Sequence, residues 1–479
     1  MGQEIERSRF SREDFAEFHR RLKCETELLG EWMRTGTLAD EHPRMGLELE
    51  AWLVDGAGMP APLNAEVLSR VSDPRVENEL ALYNLELNTA AHLLSGRPFA
   101  ALEAELELRL HRADAAAREV GARIGLVGIL PSLREADLTV ASMTPSPRYM
   151  ALNEQVLELR NRQPLLLEIE GAERLTTERS DVMLEAATTS LQLHMQVPPA
   201  RAADYFNAAV AVSAATVGVA ANAPFLFGQR LWEETRIPLF EQAVAVTPLE
   251  PDRAGPLARV GFGSGYGRDT LYHFFVENRQ HHPLLLPMLF DAPPEKLAHL
   301  RLHNGTIWRW NRPLVEVVDG RCHLRMEHRV MAAGPTMRDV VANAALFYGV
   351  VCDLAGEGVP MAERLPFPVA ERNFYRAARY GLAAEVEWFG GQRGPLGALI
   401  RERLLPAARR GLAAMGVAEG DAAPYLDVIA HRAGVEGAGV TGAAWQSAWV
   451  ERHGRDLPGL TLAYLERAAT GEPVHRWPL

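Results

Sequence analysis

Met45-Gly-Leu-Glu-Leu-Glu-Ala-Trp-Leu-Val-Asp55 alternates with a period of two over most of its length. Residues two apart share one face of a strand. Glu48 and Glu50 therefore stand side by side, and Leu47, Leu49 and Leu53 face the other way. Adjacent carboxylates repel unless water screens them or something positive lies beside them. The stretch is either the solvated outer face of an antiparallel sheet or a row of hard oxygen ligands for a divalent cation.

Three further segments alternate in the same way. Between Val76 and Thr89, Glu86 and Asn88 share a face, and Glu79 lies an odd number of residues from Glu86. If Glu79 and Glu86 serve one site, a turn or bulge must separate them. From Ser190 to Val197, Gln192, His194 and Gln196 form a polar face opposite Leu191, Leu193, Met195 and Val197. That imidazole is either a satisfied structural residue or part of a polar cavity. From Arg321 to Val330, Arg321, His323, Arg325, Glu327 and Arg329 share one face, and His328 is an exception among the apolar residues opposite. The arginine row reads as a ladder of cross-strand ion pairs or as forks for phosphate oxygens. The four polar faces complement one another. Turned into one cleft, they meet the needs of metal-assisted phosphoryl transfer from ATP. Zinc fits less well, because carboxylates dominate and no cysteine cluster is present.

Composition narrows the alternatives. The chain has 479 residues, 47% hydrophobic and 23% charged, the balance of a folded protein. Its net charge of −12 argues against a nucleic-acid binder. Of its 50 basic residues only Lys23 and Lys296 are lysine, so there is no GxxxxGK[ST] phosphate loop. Any phosphate is held by arginine, backbone amides or metal. Cys24, Cys322 and Cys352 form no CxxC, and the charged N-terminus lacks an apolar signal core. A reducing cytoplasm is the expected compartment. The uncharged, Ala-rich stretch from Ala208 to Phe227 reads as a buried helix rather than a membrane span, which needs about 20 strongly apolar residues.

Residues 1–41 read as a helical lead-in with Ser11 as N-cap. Residues 42–354 mix strands and helices and form the expected catalytic domain, with helices over Leu102 to Val120, Arg148 to Arg162 and Pro199 to Ala221. Residues 355–479 read as a helical extension, including ERNFYRAARYGLAAEVEWF, and serve as packing or as a homo-oligomer interface. The Gly-rich run Arg259 to Arg268 is either a phosphate cradle or a flexible surface loop.

The ordered set Gly46-Leu-Glu48-Leu-Glu50, Glu79, Glu86-Leu-Asn-Thr89, the His194 strand, Ala221-Asn-Ala-Pro-Phe-Leu-Phe-Gly228, Trp308-Arg-Trp-Asn-Arg-Pro313 and Glu327-His-Arg329 resembles the carboxylate–amine ligases of the glutamate–cysteine ligase type 2 kind. The resemblance spans roughly residues 42–350. It implies an α+β fold like the catalytic domain of glutamine synthetase, a curved antiparallel sheet forming a partial barrel with flanking helices. It implies phosphorylation of the γ-carboxyl of glutamate by ATP and attack of an amine, cysteine by default, on the acyl phosphate. Two or three Mg²⁺ ions, with Mn²⁺ as a substitute, accompany such chemistry. By resemblance, Glu48, His194 and Glu327 hold one metal, and Glu50, Glu79 and Glu86 another. Arg329 and Arg312 meet the transferred phosphoryl group, Arg325 joins them at the nucleotide, and Glu327 belongs to the catalytic set. Arg236, Arg148, Asn88 and Gln192 fall on the substrate side.

Two departures leave the second substrate open. Gln196 and Val197 stand where the family often has His and Gly, and Met331-Ala-Ala-Gly-Pro335 follows the Glu-x-Arg strand without an acid. A ligase for another amine, a phosphotransferase on the same fold, or a non-catalytic nucleotide- or amino-acid-binding relative are the alternatives.

Overall fold

The computed structural model describes residues 5–246, 257–434 and 439–479. Its centre is a curled antiparallel sheet. Six strands form the path: β1 (Arg44–Asp55), β2 (Val76–Asn78), β3 (Asn84–Asn88), β4 (Ser190–Gln196), β5 (Asn311–Val318) and β6 (Arg321–Ala332). They lie in the order β5-β6-β4-β1-β3-β2, and two short strands, His92–Leu93 and Ala122–Gly125, also pair with β1. The four alternating segments of the sequence thus become neighbours. The parity argument also holds: β2 ends at Asn78, and Glu79 lies in the connection to β3, ahead of the turn at Leu82 and Tyr83.

Helices enclose the sheet. Helix α1 (Arg12–Thr35) begins with a capping box, in which Ser11 Oγ accepts from Asp14 N and Asp14 accepts from Ser11 N. Helix α2 (Pro98–Glu119) follows. Helices α3 (Ala202–Val219) and α4 (Met337–Gly356) are apolar nearly all round because they lie inside the protein. Both are long and apolar enough to cross a membrane by length and composition, yet over four-fifths of the most apolar stretch of each is buried. The Ala-rich stretch is thus a core helix, and it ends at Val219, before the Asn-Ala-Pro-Phe segment.

The two core helices fix the strands that carry the polar groups. Tyr348 Oη on α4 donates to the carbonyls of Gly46 and His194, 2.9 Å each, tying β1 to β4. His328, the exception on the apolar face of β6, is a satisfied core residue. It bonds Asn311 Oδ1 at 2.7 Å and Thr216 Oγ1 at 2.8 Å and stacks on Phe347. Burial pushes its pKa down to about 3, so it is neutral.

The C-terminal region joins the same main apolar cluster, which includes Phe18 of α1 and Ala408, Leu426 and Tyr464 of the tail. Two more tail helices, α5 (Leu405–Ala414) and α6 (Glu419–Arg432), pack on α4. The α4–α5 approach is closed by glycine: a Cβ on Gly411 would lie 2.0 Å from the carbonyl oxygen of Gly349. Glycine to alanine within a helix normally stabilises by about 0.5–1 kcal/mol. Here Gly411→Ala is expected to destabilise by about 3 kcal/mol through overpacking, seen as a lower denaturation midpoint at constant slope. An unchanged or raised midpoint would contradict the close packing.

Two sequence expectations need correction. Glu385–Trp388 is not helical but pairs with Gln392–Pro395 as a hairpin; the helix stops at Tyr380, before Gly381 with φ +57°. The Gly-rich run is not a free surface loop. Val260–Gly261 pairs with Trp308–Arg309, Phe262 stacks on Phe374 at 4.9 Å, and Gly267 N donates to Asn207 Oδ1 at 2.6 Å.

Candidate active site

Strand register assembles the polar face. Glu48 is opposite Gln192 and Glu50 opposite Glu86; Glu327 is opposite His194, and Arg312 opposite Glu327. The result is two triads whose donor atoms lie within 4.8 Å of one another: Glu48, His194 and Glu327, and Glu50, Glu79 and Glu86. All six expected ligands are therefore brought together, in the two expected sets.

The donor set suits hard divalent cations. In the second triad burial raises the carboxyl pKa values. Glu79 stands well above the usual range because the Glu86 and Glu50 charges add to burial, and Glu50 is raised by burial despite Arg329 and Arg236. Such a cluster is unfavourable without a cation. In the first triad neither ring nitrogen of His194 has a hydrogen-bond partner among the described residues. Its Nε2 lies 3.2 Å from Glu48 and 3.7 Å from Glu327. Carboxylates and one imidazole fit Mg²⁺ or Mn²⁺.

Glu327 anchors the arginines. Arg312 forks onto it with bonds of 2.8 and 2.9 Å, and Arg329 reaches it at 3.2 Å. Burial acts against the charge, but Arg312 and Arg329 hold Glu327 down to about 2. Arg329 sits at a bulge: three steps of β6, from His328 to Met331, face two steps of β4. Bulges re-aim side chains beside active sites. Arg236 braces this bulge through the carbonyls of Val330 and Arg329.

Two cavities flank the triads. The larger, about 910 Å³, is lined by Glu48, His194, Arg44, Arg75, Arg321 and Arg325 among others. The smaller, about 40 Å³, is lined by Glu50, Glu79, Glu185, Arg236, Trp310 and Arg329 among others. Neither Arg329 Nε nor Arg236 Nε has a hydrogen-bond partner among the described residues, though both are buried. Buried donors without partners call for an anion.

The remaining expected residues are placed less uniformly. Arg325 lines the larger cavity while pairing with Glu316 at 3.1 Å. Asn88 lines it too, and donates to Glu86 at 2.7 Å. Gln192 is buried between Glu50 and Arg329, donating to the first at 2.7 Å and accepting from the second. Its amide orients these groups instead of facing either cavity. Arg312 likewise lines neither cavity. Its guanidinium is committed to Glu327 and to the carbonyls of Asn304 and Ile307, so it steadies Glu327 from outside both cavities. Arg148 is buried near the start of helix Pro147–Leu159, outside both linings. Glu185, Arg44 and Arg75 are lining residues that sequence reasoning did not single out. Glu185 lies in a 3₁₀ turn, where no periodicity marks it.

Arg329→Lys is expected to lower turnover about a hundredfold. An ammonium cannot supply two in-plane donors to an anion while holding both Glu327 and Gln192. Steady-state rates against ADP formation check this; an unchanged rate removes Arg329 from the reacting centre.

The fold is similar to that of the glutamate–cysteine ligase of Francisella tularensis, solved in complex with AMP, at 12% identity and a TM-score of 0.53 over 92% of this chain and 96% of that one. It is similar at the same TM-score and 11% identity to a bifunctional glutathione synthetase of Pasteurella multocida, over 96% of this chain and 55% of that one. The likeness is one of fold, a curled antiparallel sheet enclosed by helices. A family model described as glutamate–cysteine ligase family 2 matches residues 44–454, and the chain belongs to that family of ATP-dependent carboxylate–amine ligases. A putative glutamate–cysteine ligase 2-2 of Mycolicibacterium vanbaalenii is 37% identical over 115 residues, which are 24% of this chain and 30% of that relative's length.

Proposed function

We propose that the chain joins a carboxylate to an amine at the expense of ATP through an acyl phosphate, with glutamate and cysteine as its substrates. The observation that supports this best is the pairing of the two triads with Arg329 and Arg236, whose unpartnered Nε groups mark a position for an anion. The family and the AMP bound to the Francisella relative agree with it.

In this reading the larger, arginine-lined cavity takes the nucleotide, and the smaller one takes the reacting carboxyl. Glu48, His194 and Glu327 would hold one Mg²⁺ and Glu50, Glu79 and Glu86 another; the ions would neutralise phosphate charge and orient the nucleotide. An oxygen of the γ-carboxylate attacks the γ-phosphorus, and ADP leaves. The amine nitrogen then attacks the acyl carbon, the carbon–oxygen bond to phosphate breaks, and the amide forms. Arg329 and Arg236 oppose charge that grows on the phosphoryl and acyl oxygens. Gln192 and Arg312 hold Glu50 and Glu327 in place. A reducing compartment is part of the proposal and accords with three free cysteines.

The test is ADP release from ATP, Mg²⁺ and glutamate, with and without cysteine, with the product weighed by mass spectrometry. Cysteine-dependent ADP and a γ-glutamylcysteine mass support the full reading. ADP release driven by a different amine keeps the ligase and replaces the acceptor; a phosphorylated product without an amide overturns the ligase reading.

A further inference from the structure

We propose that Glu185 receives the acceptor amine and takes a proton from it as the amide forms. The proposal rests on the ligase reading above and assigns a catalytic residue to its second step.

Three carboxylates line the small cavity: Glu50, Glu79 and Glu185. Glu50 and Glu79 belong to a cation triad, and Glu185 belongs to neither. Glu50 is further engaged by Ser190 N and Gln192. The Glu185 side chain has no hydrogen bond or ion pair among the described residues, although it lies half-buried beside two guanidinium groups. A carboxylate left uncommitted there is positioned for an ammonium or amine.

Cavity size places that amine at the reacting centre. About 40 Å³ holds a few water-sized groups, not a whole amino acid. Every group lining it faces the same few atoms. Arg329 and Arg236 supply the donors for the acyl phosphate, and Glu185 faces the same space from the turn that precedes β4. Charges approach it from four other elements: Glu50 on β1, Glu79 beyond β2, Arg329 on β6 and Arg236 on its own helix, with Arg148 also within electrostatic reach. A carboxylate oxygen held there can accept a proton and return it to water.

The step balances as follows. The acceptor arrives as an ammonium and gives one proton to Glu185. Its lone pair attacks the acyl carbon, and the carbon–oxygen bond to phosphate breaks. The departing phosphate carries off the second nitrogen proton, and Glu185 returns the first to solvent.

Hydroxylamine separates this role from a structural one, because it is already unprotonated at neutral pH and needs no base. Glu185→Gln keeps size and removes the basic oxygen. With ATP, Mg²⁺ and glutamate at pH 7, the variant is expected to form γ-glutamyl hydroxamate within about threefold of wild type. With the amine that drives ADP release in the wild type, amide formation should fall about a hundredfold or more and recover as pH approaches the amine's own pKa. A parallel fall in both products, or a raised KM for glutamate in both, would overturn the assignment and place Glu185 on the glutamate α-ammonium or in the scaffold. No fall in either product would also overturn it. A wild type that releases no ADP with any amine or hydroxylamine would overturn the ligase reading itself, and this assignment with it.

Discussion

Glu50→Gln is expected to lower turnover at least about a thousandfold while leaving the metal-free protein as stable as wild type. The substitution keeps side-chain volume and an oxygen for Ser190 N, which donates to Glu50 at 2.6 Å; it gives up the 2.7 Å bond from Gln192, a cost of about 1 kcal/mol that the relieved charge repulsion offsets. It removes a negative charge from a triad in which Glu79 and Glu86 already repel it. Burial disfavours that charge despite two arginines nearby, so folding without a cation loses little. Catalysis loses far more. A thousandfold is about 4 kcal/mol, the scale of a Lewis-acid contribution to phosphoryl transfer. Two measurements check this: kcat with saturating ATP and Mg²⁺, and the thermal midpoint with and without Mg²⁺. The variant should retain its apo midpoint and lose most of the Mg²⁺-induced rise. Wild-type turnover would remove the second triad from the reaction.

Glu327→Gln is expected to damage both activity and stability, and the contrast with Glu50 is physical. Glu327 is a low-pKa carboxylate joined to Arg312 by two bonds and to Arg329 by a third. Removing its charge leaves buried guanidinium charge uncompensated, at a cost of about 3 kcal/mol or more. Its pKa is depressed on folding, so its stabilisation is present above the ordinary carboxylate range and is lost as pH falls through about 2. The stability gap between wild type and variant should therefore narrow between about pH 5 and pH 2. Denaturation at several pH values reads it directly. A gap independent of pH would mean that the Arg312–Glu327 fork does not stabilise the fold.

Much of the centre was legible because a strand has one rigid periodicity. The alternation of Glu48 with Glu50, and of Gln192 with His194, placed each carboxylate or imidazole on the correct face before any pairing was known. For Glu79 and Glu86 to serve one site, parity required a turn or bulge between them, and the chain leaves the strand there. What alternation could not carry was its own interruption. Arg329 looks like a regular member of the Arg321-to-Arg329 face, and the bulge that turns it toward Glu327 and Gln192 leaves no mark in composition. Arg312 was expected at a phosphoryl group, but its cross-strand partner is Glu327, and register is a property of two strands, not one. Glu185 sits in a one-turn helix and has no pattern to betray it. In the tail, charged and apolar residues at helical spacing masked the short Glu-Val-Glu-Trp strand, whose identity depends on the partner strand at Gln392–Pro395.

The central claim is that ATP activates a carboxylate by phosphorylating it, and oxygen transfer tests this most directly. Glutamate labelled with ¹⁸O in its γ-carboxyl is incubated with ATP, Mg²⁺ and the amine that drives ADP release. Phosphorylation of the carboxylate makes one labelled oxygen the bridge to phosphorus, and attack of the amine leaves that oxygen on the departing phosphate. The account predicts one ¹⁸O in the inorganic phosphate for each amide formed. Unlabelled phosphate accompanying ADP release would contradict it.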